Sequence, residues 1–229
     1  MKIKLVILFF LAVLINQSYG QTLKGILTET PLKGIGDNTE LSKKAAKPMT
    51  FSYVFSEKKS IQNLISLEKT SIDTSYIEKY GTKYETTSSV SRPTSLSYYK
   101  DLETKKYKVV ATQEAKDFNI VEKLTKFDWK LINENKIING YTCKKATTTN
   151  TAFNSNQSIV AWYTEAIPIN DGPGQYQGLP GFIVQIEIDD NSISTFDKLV
   201  FSKENTAIEE PNNRATEMSF SDYLKQSNK

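Results

Sequence analysis

The chain has 229 residues, enough to bury a substantial core without covalent staples. Its 29 Lys plus Arg against 26 Asp plus Glu give a formal net charge of +3, a near balance that argues against a nucleic-acid-binding domain, which needs a concentrated basic face. With no histidine and one cysteine, the sequence excludes Ser-His-Asp and Cys-His catalysis, His-ligated zinc and an intrachain disulfide.

At the N-terminus, Lys2 and Lys4 precede an uninterrupted apolar run from Leu5 to Ile15, and Ser18-Tyr19-Gly20 supplies the small residues a signal peptidase reads. The run is shorter than the roughly 20 apolar residues a membrane span needs. Residues 1–20 are read as a signal peptide and 21–229 as one mature domain beginning at Gln21. No cysteine near the cut is available to take a lipid, and no later stretch is apolar enough to cross a bilayer. The expectation is an exported protein of the periplasm or cell envelope, or a secreted one, without a transmembrane anchor after cleavage.

Beyond the leader the dominant period is two. Phe51, Tyr53 and Phe55 alternate with polar residues, as do Tyr107 and Val109 with Lys106 and Lys108. Phe182, Val184, Ile186 and Ile188 alternate with Gln185, Glu187 and Asp189. Such alternation gives strands with one dry and one wet face. Further strands are predicted over 22–28, 60–67, 95–101, 118–124, 128–132, 137–147, 158–164 and 193–201, all rich in β-branched and aromatic residues. No long helical pattern separates them, so parallel βαβ units are not expected. The tail gives the one short helix, capped by Ser219 or Ser221 and burying Phe220, Tyr223 and Leu224. Residues 31–48 and 202–216 read as long loops, and 71–93, rich in Thr, Ser and Tyr, carries no clear assignment. The fold class is mainly β, a single antiparallel, curved, half-barrel-like sheet with long loops and a short C-terminal helix.

One segment departs from this pattern. Residues 165–181 hold four of the ten glycines and three of the seven prolines, so the chain's punctuation is concentrated between two strong strands. Connections beyond about 12–15 residues are uncommon in compact domains and often functional. Glycine permits positive φ and close approach while proline fixes φ, so the loop is shaped. Two readings stand: a structural corner, or a binding or interaction loop comprising Trp162, Tyr163, Asp171, Gly172, Pro173, Gly178, Leu179, Pro180, Gly181 and Phe182. Trp162 and Tyr163 face opposite sides of a strand, which places at least one in the core.

No catalytic, cofactor-binding or metal-ligating residue is assigned. Ser-x-x-Lys occurs at Ser56/Lys59, Ser66/Lys69 and Ser97/Lys100, but in a strand that spacing points the pair to opposite faces. Asp128, Glu165, Asp171 and Glu187 are the carboxylates available for paired acid–base work, and solvated faces explain each more cheaply. Asp189-Asp190-Asn191 reads as a hairpin turn, not a calcium loop. Cys143 shares a face with Tyr141 and reads as a small buried hydrophobe.

Three runs, INGYTCKKAT (138–147), AWYTEAIPINDGP (161–173) and GLPGFIVQIE (178–187), resemble in order and spacing the GLPGLI family of exported Bacteroidota proteins. Phe182 stands where the family name has Leu. The resemblance implies a signal peptide and an envelope location but supplies no activity. The strand alternation also looks, more loosely, like the periplasmic half-barrel carriers of the lipoprotein-sorting kind. Two functions follow: a non-enzymatic module that binds an apolar small molecule or another envelope protein, or a histidine-free hydrolase using paired carboxylates. A curved sheet around an apolar cavity would favour a carrier.

Overall fold

The period-two pattern becomes strand over most of the chain. A computed structural model describes residues 22–32, 47–66, 71–90, 92–150, 156–189 and 191–227. The leader and most of the 31–48 loop lie outside these residues. The described strands are β1 (Thr22–Pro31), β2 (Met49–Ser56), β3 (Lys59–Leu64), β4 (Ser71–Lys79), β5 (Thr82–Val90), β6 (Ser95–Asp101), β7 (Lys106–Gln113), β8 (Lys116–Lys123), β9 (Lys130–Ile138), β10 (Tyr141–Asn150), β11 (Gln157–Thr164), β12 (Phe182–Ile188) and β13 (Ser192–Ser202); one helix, α1 (Phe220–Ser227), follows.

Eleven strands form one sheet in the order β8-β7-β6-β3-β2-β1-β13-β12-β11-β10-β9, while β4 and β5 pair as a separate hairpin. Every ladder is antiparallel, and β1 lies between β2 and β13, joining the N- and C-terminal meanders. Laid flat, eleven strands at about 4.8 Å spacing would stretch roughly 48 Å from edge to edge. Yet the two edge strands, β8 and β9, are joined by Leu124–Trp129 alone, a connector that reaches about 25 Å at full extension. The sheet therefore curls. Its edges approach without pairing, so it is an open curl and not a closed barrel.

Turn chemistry sets the register. The pairs Glu57-Lys58, Tyr80-Gly81, Glu114-Ala115 and Asn139-Gly140 all have positive φ at both positions, the type I′ geometry that matches strand twist. Asn139-Gly140 corrects the strand expected over 137–147: Ile137 and Ile138 end β9, and β10 begins at Tyr141. The unassigned 71–93 segment contains the β4–β5 hairpin, whose Thr and Ser run pairs from Ser71↔Val90 to Lys79↔Thr82.

The wet-face expectation for β12 also needs correction. Trp162 pairs with Gln185 but Tyr163 with Ile183, leaving Val184 as the extra residue of a bulge. Phe182 and Val184 consequently join one buried cluster, with Tyr53, Trp162 and Phe196, while Ile183 and Ile186 join a second, with Ala161, Tyr163 and Leu179. Cys143 is fully buried, and burial pushes its thiol up to about 11. The expected solvent face of β7 is covered as well. Residues 203–218 cross it, Glu210 accepting from Lys106 (2.6 Å) and Lys108 (2.9 Å), and Glu217 from Lys108 (2.7 Å). Met218 then bridges Ile120 on the outer edge of β8. Ser219 caps α1, its Oγ accepting from the Asp222 amide at 3.2 Å.

Candidate functional site

Residues 165–181 turn into the curl and fill part of it. Ile167 packs into the first cluster, Tyr176 and Leu179 into the second. The backbone is pinned from both ends: the Phe182 amide donates to the Ile167 carbonyl (3.1 Å), and that of Ile183 to Asp171 (2.9 Å). The Trp129 indole donates to the Gln177 carbonyl (2.9 Å), and the Gln177 amide side chain donates to Thr125 (2.9 Å), tying the segment to the β8–β9 connector. Glycine is required at Gly181, where φ is +150° and a Cβ would meet the Thr164 carbonyl oxygen at 2.3 Å. At Gly172 a Cβ would meet that of Ile183 at 2.6 Å.

The deepest attachment is ionic. Lys100, on β6, pairs with Asp171; both side chains are buried. The ammonium also donates to the carbonyls of Gly172 (2.7 Å) and Tyr176 (3.3 Å), and the Tyr53 hydroxyl donates to the second Asp171 oxygen at 2.7 Å. Lys100 is thus engaged by one carboxylate and two carbonyls. Burial lowers the Lys100 pKa against the pull of Asp171, and burial beside that carboxylate holds the Tyr53 phenol far above its ordinary range. Gln62 adds a fifth tie, accepting from the Gly174 amide at 3.1 Å. These groups bind the plug across the curl to the N-terminal strands.

Most of the ten residues of the loop reading are therefore interior. Trp162, Tyr163, Asp171, Gly172, Pro173, Leu179, Gly181 and Phe182 are buried, and only Gly178 and Pro180 are exposed. Trp162 and Tyr163 do face opposite ways, one in each cluster. The Trp162 indole donates to Glu187 at 3.0 Å and lies 4.1 Å beneath the Lys136 ammonium. Glu187 also pairs with Lys136 and Glu165 with Lys144, while Asp128 is exposed. Glu165, Asp171 and Glu187 thus serve separate local contacts, and Asp128 faces solvent. Among the described residues no group of three or more acidic or cysteine side chains is placed to hold a metal ion.

Beside the plug lies a cavity of about 530 Å³. Cross-strand pairing puts Leu96 with Ala111 and Tyr98 with Val109, then Ala111 with Phe118, Val109 with Ile120 and Tyr107 with Glu122. Paired residues share a face, so three strands present one continuous apolar and aromatic wall. Phe220 and Tyr223 of α1 close the opposite side, Tyr223 meeting Phe118 edge-on at 5.2 Å. Asn150, Gln157 and Gln175 supply amides at the border. The sequence carried the alternation of these strands and the apolar face of α1, but nothing local says that two distant segments face each other.

A family model described as a protein of unknown function, Porph_ging, matches residues 149–185, the span from the end of β10 through the plug into β12. The sequence matches no curated protein. Two solved structures share the fold: "Structure of PNGF-II in C2 space group", 14% identical with a TM-score of 0.54, and "Structure of PNGF-II in P21 space group", 14% identical with a TM-score of 0.55. Each alignment covers 90% of this chain and 32% or 33% of the other, so the chain spans about a third of the length of the structures it resembles.

Proposed function

We propose that this chain is an exported cell-envelope protein of GLPGLI type, a signal peptide followed by one β domain, and that the domain carries a small apolar molecule inside its curled sheet. The observation that carries this reading is the cavity of about 530 Å³ walled by β6, β7, β8 and α1, within the 300–1,000 Å³ typical of small-molecule sites. The three motif runs in their order, and the family match over 149–185, support the family. The leader pattern and the lack of any helix long and apolar enough to cross a membrane among the described residues support an exported, unanchored product. The plug's polar groups are engaged with one another, which favours the structural-corner reading of residues 165–181.

Native mass spectrometry of the protein purified gently from its own cells' envelope tests the carrier reading. A small bound mass released on denaturation supports it. A bare chain, or one holding a partner polypeptide, overturns it in favour of docking.

A further inference from the structure

The charges facing the curl's interior are unevenly matched. Tyr107 pairs with Glu122 on the cavity side of β7 and β8, so the Glu122 carboxylate borders the cavity, where it accepts the Phe220 amide of α1 at 2.7 Å. Lys123 follows it, pairs with Lys106 and is exposed, and it also borders the cavity beside Glu122. Lys100, on the cavity-side face of β6, is spent on Asp171 and two carbonyls. On β1, Glu29 pairs with Met49 two positions beyond the Leu27↔Phe51 pair, on the same inner face and only half-exposed at most. Its charge reaches the phenols of Tyr98, Tyr107 and Tyr176, and burial pushes its own carboxyl up. Among the described residues no ion pair engages Glu29 or Glu122, and both carboxyls sit near aromatic side chains whose faces are negative.

Resting on the carrier reading above, we propose that the cavity selects an organic cation with an apolar tail, an alkylammonium-type amphiphile, with the cationic end at Glu122 among Tyr98, Tyr107 and Phe220 and the tail along Leu96, Val109, Ala111 and Ile120. A carboxylate beside aromatic faces attracts ammonium both by charge and by the ring quadrupole, and desolvation in a cavity strengthens both. The same Glu122 repels a fatty-acid carboxylate. A neutral alcohol of equal chain length keeps the apolar contacts and loses the ionic ones.

Isothermal titration of the purified protein with dodecyltrimethylammonium, dodecanol and laurate, each below its micelle concentration, reads the selectivity directly. The cation is expected to bind about tenfold or more tighter than dodecanol, with laurate weakest. Glu122→Gln, which keeps an acceptor for the Phe220 amide, should cut the cation's affinity about tenfold and leave dodecanol unchanged. Tyr98→Leu should likewise weaken the cation alone, an independent check should the first variant fail to fold. Laurate binding as tightly as the cation, or a cation indifferent to these substitutions, overturns the inference while leaving a carrier. Failure of all three probes to bind overturns the carrier reading with it.

Discussion

Two neighbouring regions of one concave surface are finished in opposite ways. Residues 165–181 fill their part of the curl and engage each inward polar group: Lys100 with Asp171 and two carbonyls, Tyr53 with Asp171, Gln62 with the Gly174 amide. The wall from β6 to α1 leaves a cavity of about 530 Å³. Dense packing gains dispersion contacts that a cavity forfeits, so the plug is where the sheet gains rigidity and the wall is where it keeps room. The Gly and Pro content marks the filled region, not the region that keeps a cavity.

The comparison breaks first at Lys100. Lys100→Met leaves the Asp171 carboxylate buried beside Tyr53 without its cation, and stability should fall by about 3–5 kcal/mol. Urea unfolding followed by tryptophan fluorescence measures this. Removing both charges, Lys100→Met with Asp171→Leu, should recover much of the loss, because an apolar pair of similar volume often replaces a buried ion pair at little cost. If the single variant were as stable as the parent, the plug would not depend on the latch.

The glycines sharpen the same contrast at the next scale. Gly181→Ala drives a methyl into the Thr164 carbonyl, at 2.3 Å, from a φ of +150°, and should cost about 3 kcal/mol. Gly178→Ala has positive φ, +94°, but its methyl would meet only the Trp129 indole nitrogen at 3.9 Å, so it should cost about 1 kcal/mol. Parallel thermal melts separate the two. Equal melting temperatures would mean that the close approach at Gly181 relaxes freely.

Glu29, on β1, reports on the interior beside the wall. Burial raises its folded pKa above the unfolded value. Between those two values the native state binds more protons than the unfolded chain, so stability falls as pH rises through that window. Glu29→Gln should therefore raise the melting temperature slightly at neutral pH, with the gain closing as pH drops below the ordinary glutamate range. A gain that persisted in acid would assign the effect to packing and not to charge.

The strands were legible because alternation is local. The pattern predicted 95–101 with the observed bounds and an alternating strand running on from Phe182, and Ser219 or Ser221 with Phe220 and Tyr223 marked α1, although Leu224, expected to be buried there, is exposed. Asn139-Gly140 carried an equally local turn signal that the apolar run around it obscured. The bulge at Val184 left no such mark, since it depends on the register of β11 against β12. Neither did the burial of Lys108, which is set by Glu210 and Glu217 about a hundred residues away. The candidate site follows the same rule. Gly172, Gly178 and Gly181 announced a shaped loop, but its inward course depends on Lys100 and Tyr53, and the cavity depends on a curl held by the short β8–β9 connector and by the plug's ties across it.

The smallest expected effect on stability is the most informative about function. Ala111 lies in the cavity wall between its partners Leu96 and Phe118. Ala111→Leu extends a side chain into the cavity, where it meets no close-packed neighbour, so the change in stability should stay within about 0.5 kcal/mol. The same volume occludes a ligand of the cavity's size, and the bound mass in native spectra should disappear. A large substitution in the plug would instead meet the packed surroundings of Ile183 or Thr164 and unfold the domain before altering any ligand. Loss of ligand without loss of stability at Ala111, set against loss of stability at Gly181, would separate the wall that binds from the plug that holds. A variant that destabilised the domain yet retained the bound mass would place the ligand elsewhere on the sheet.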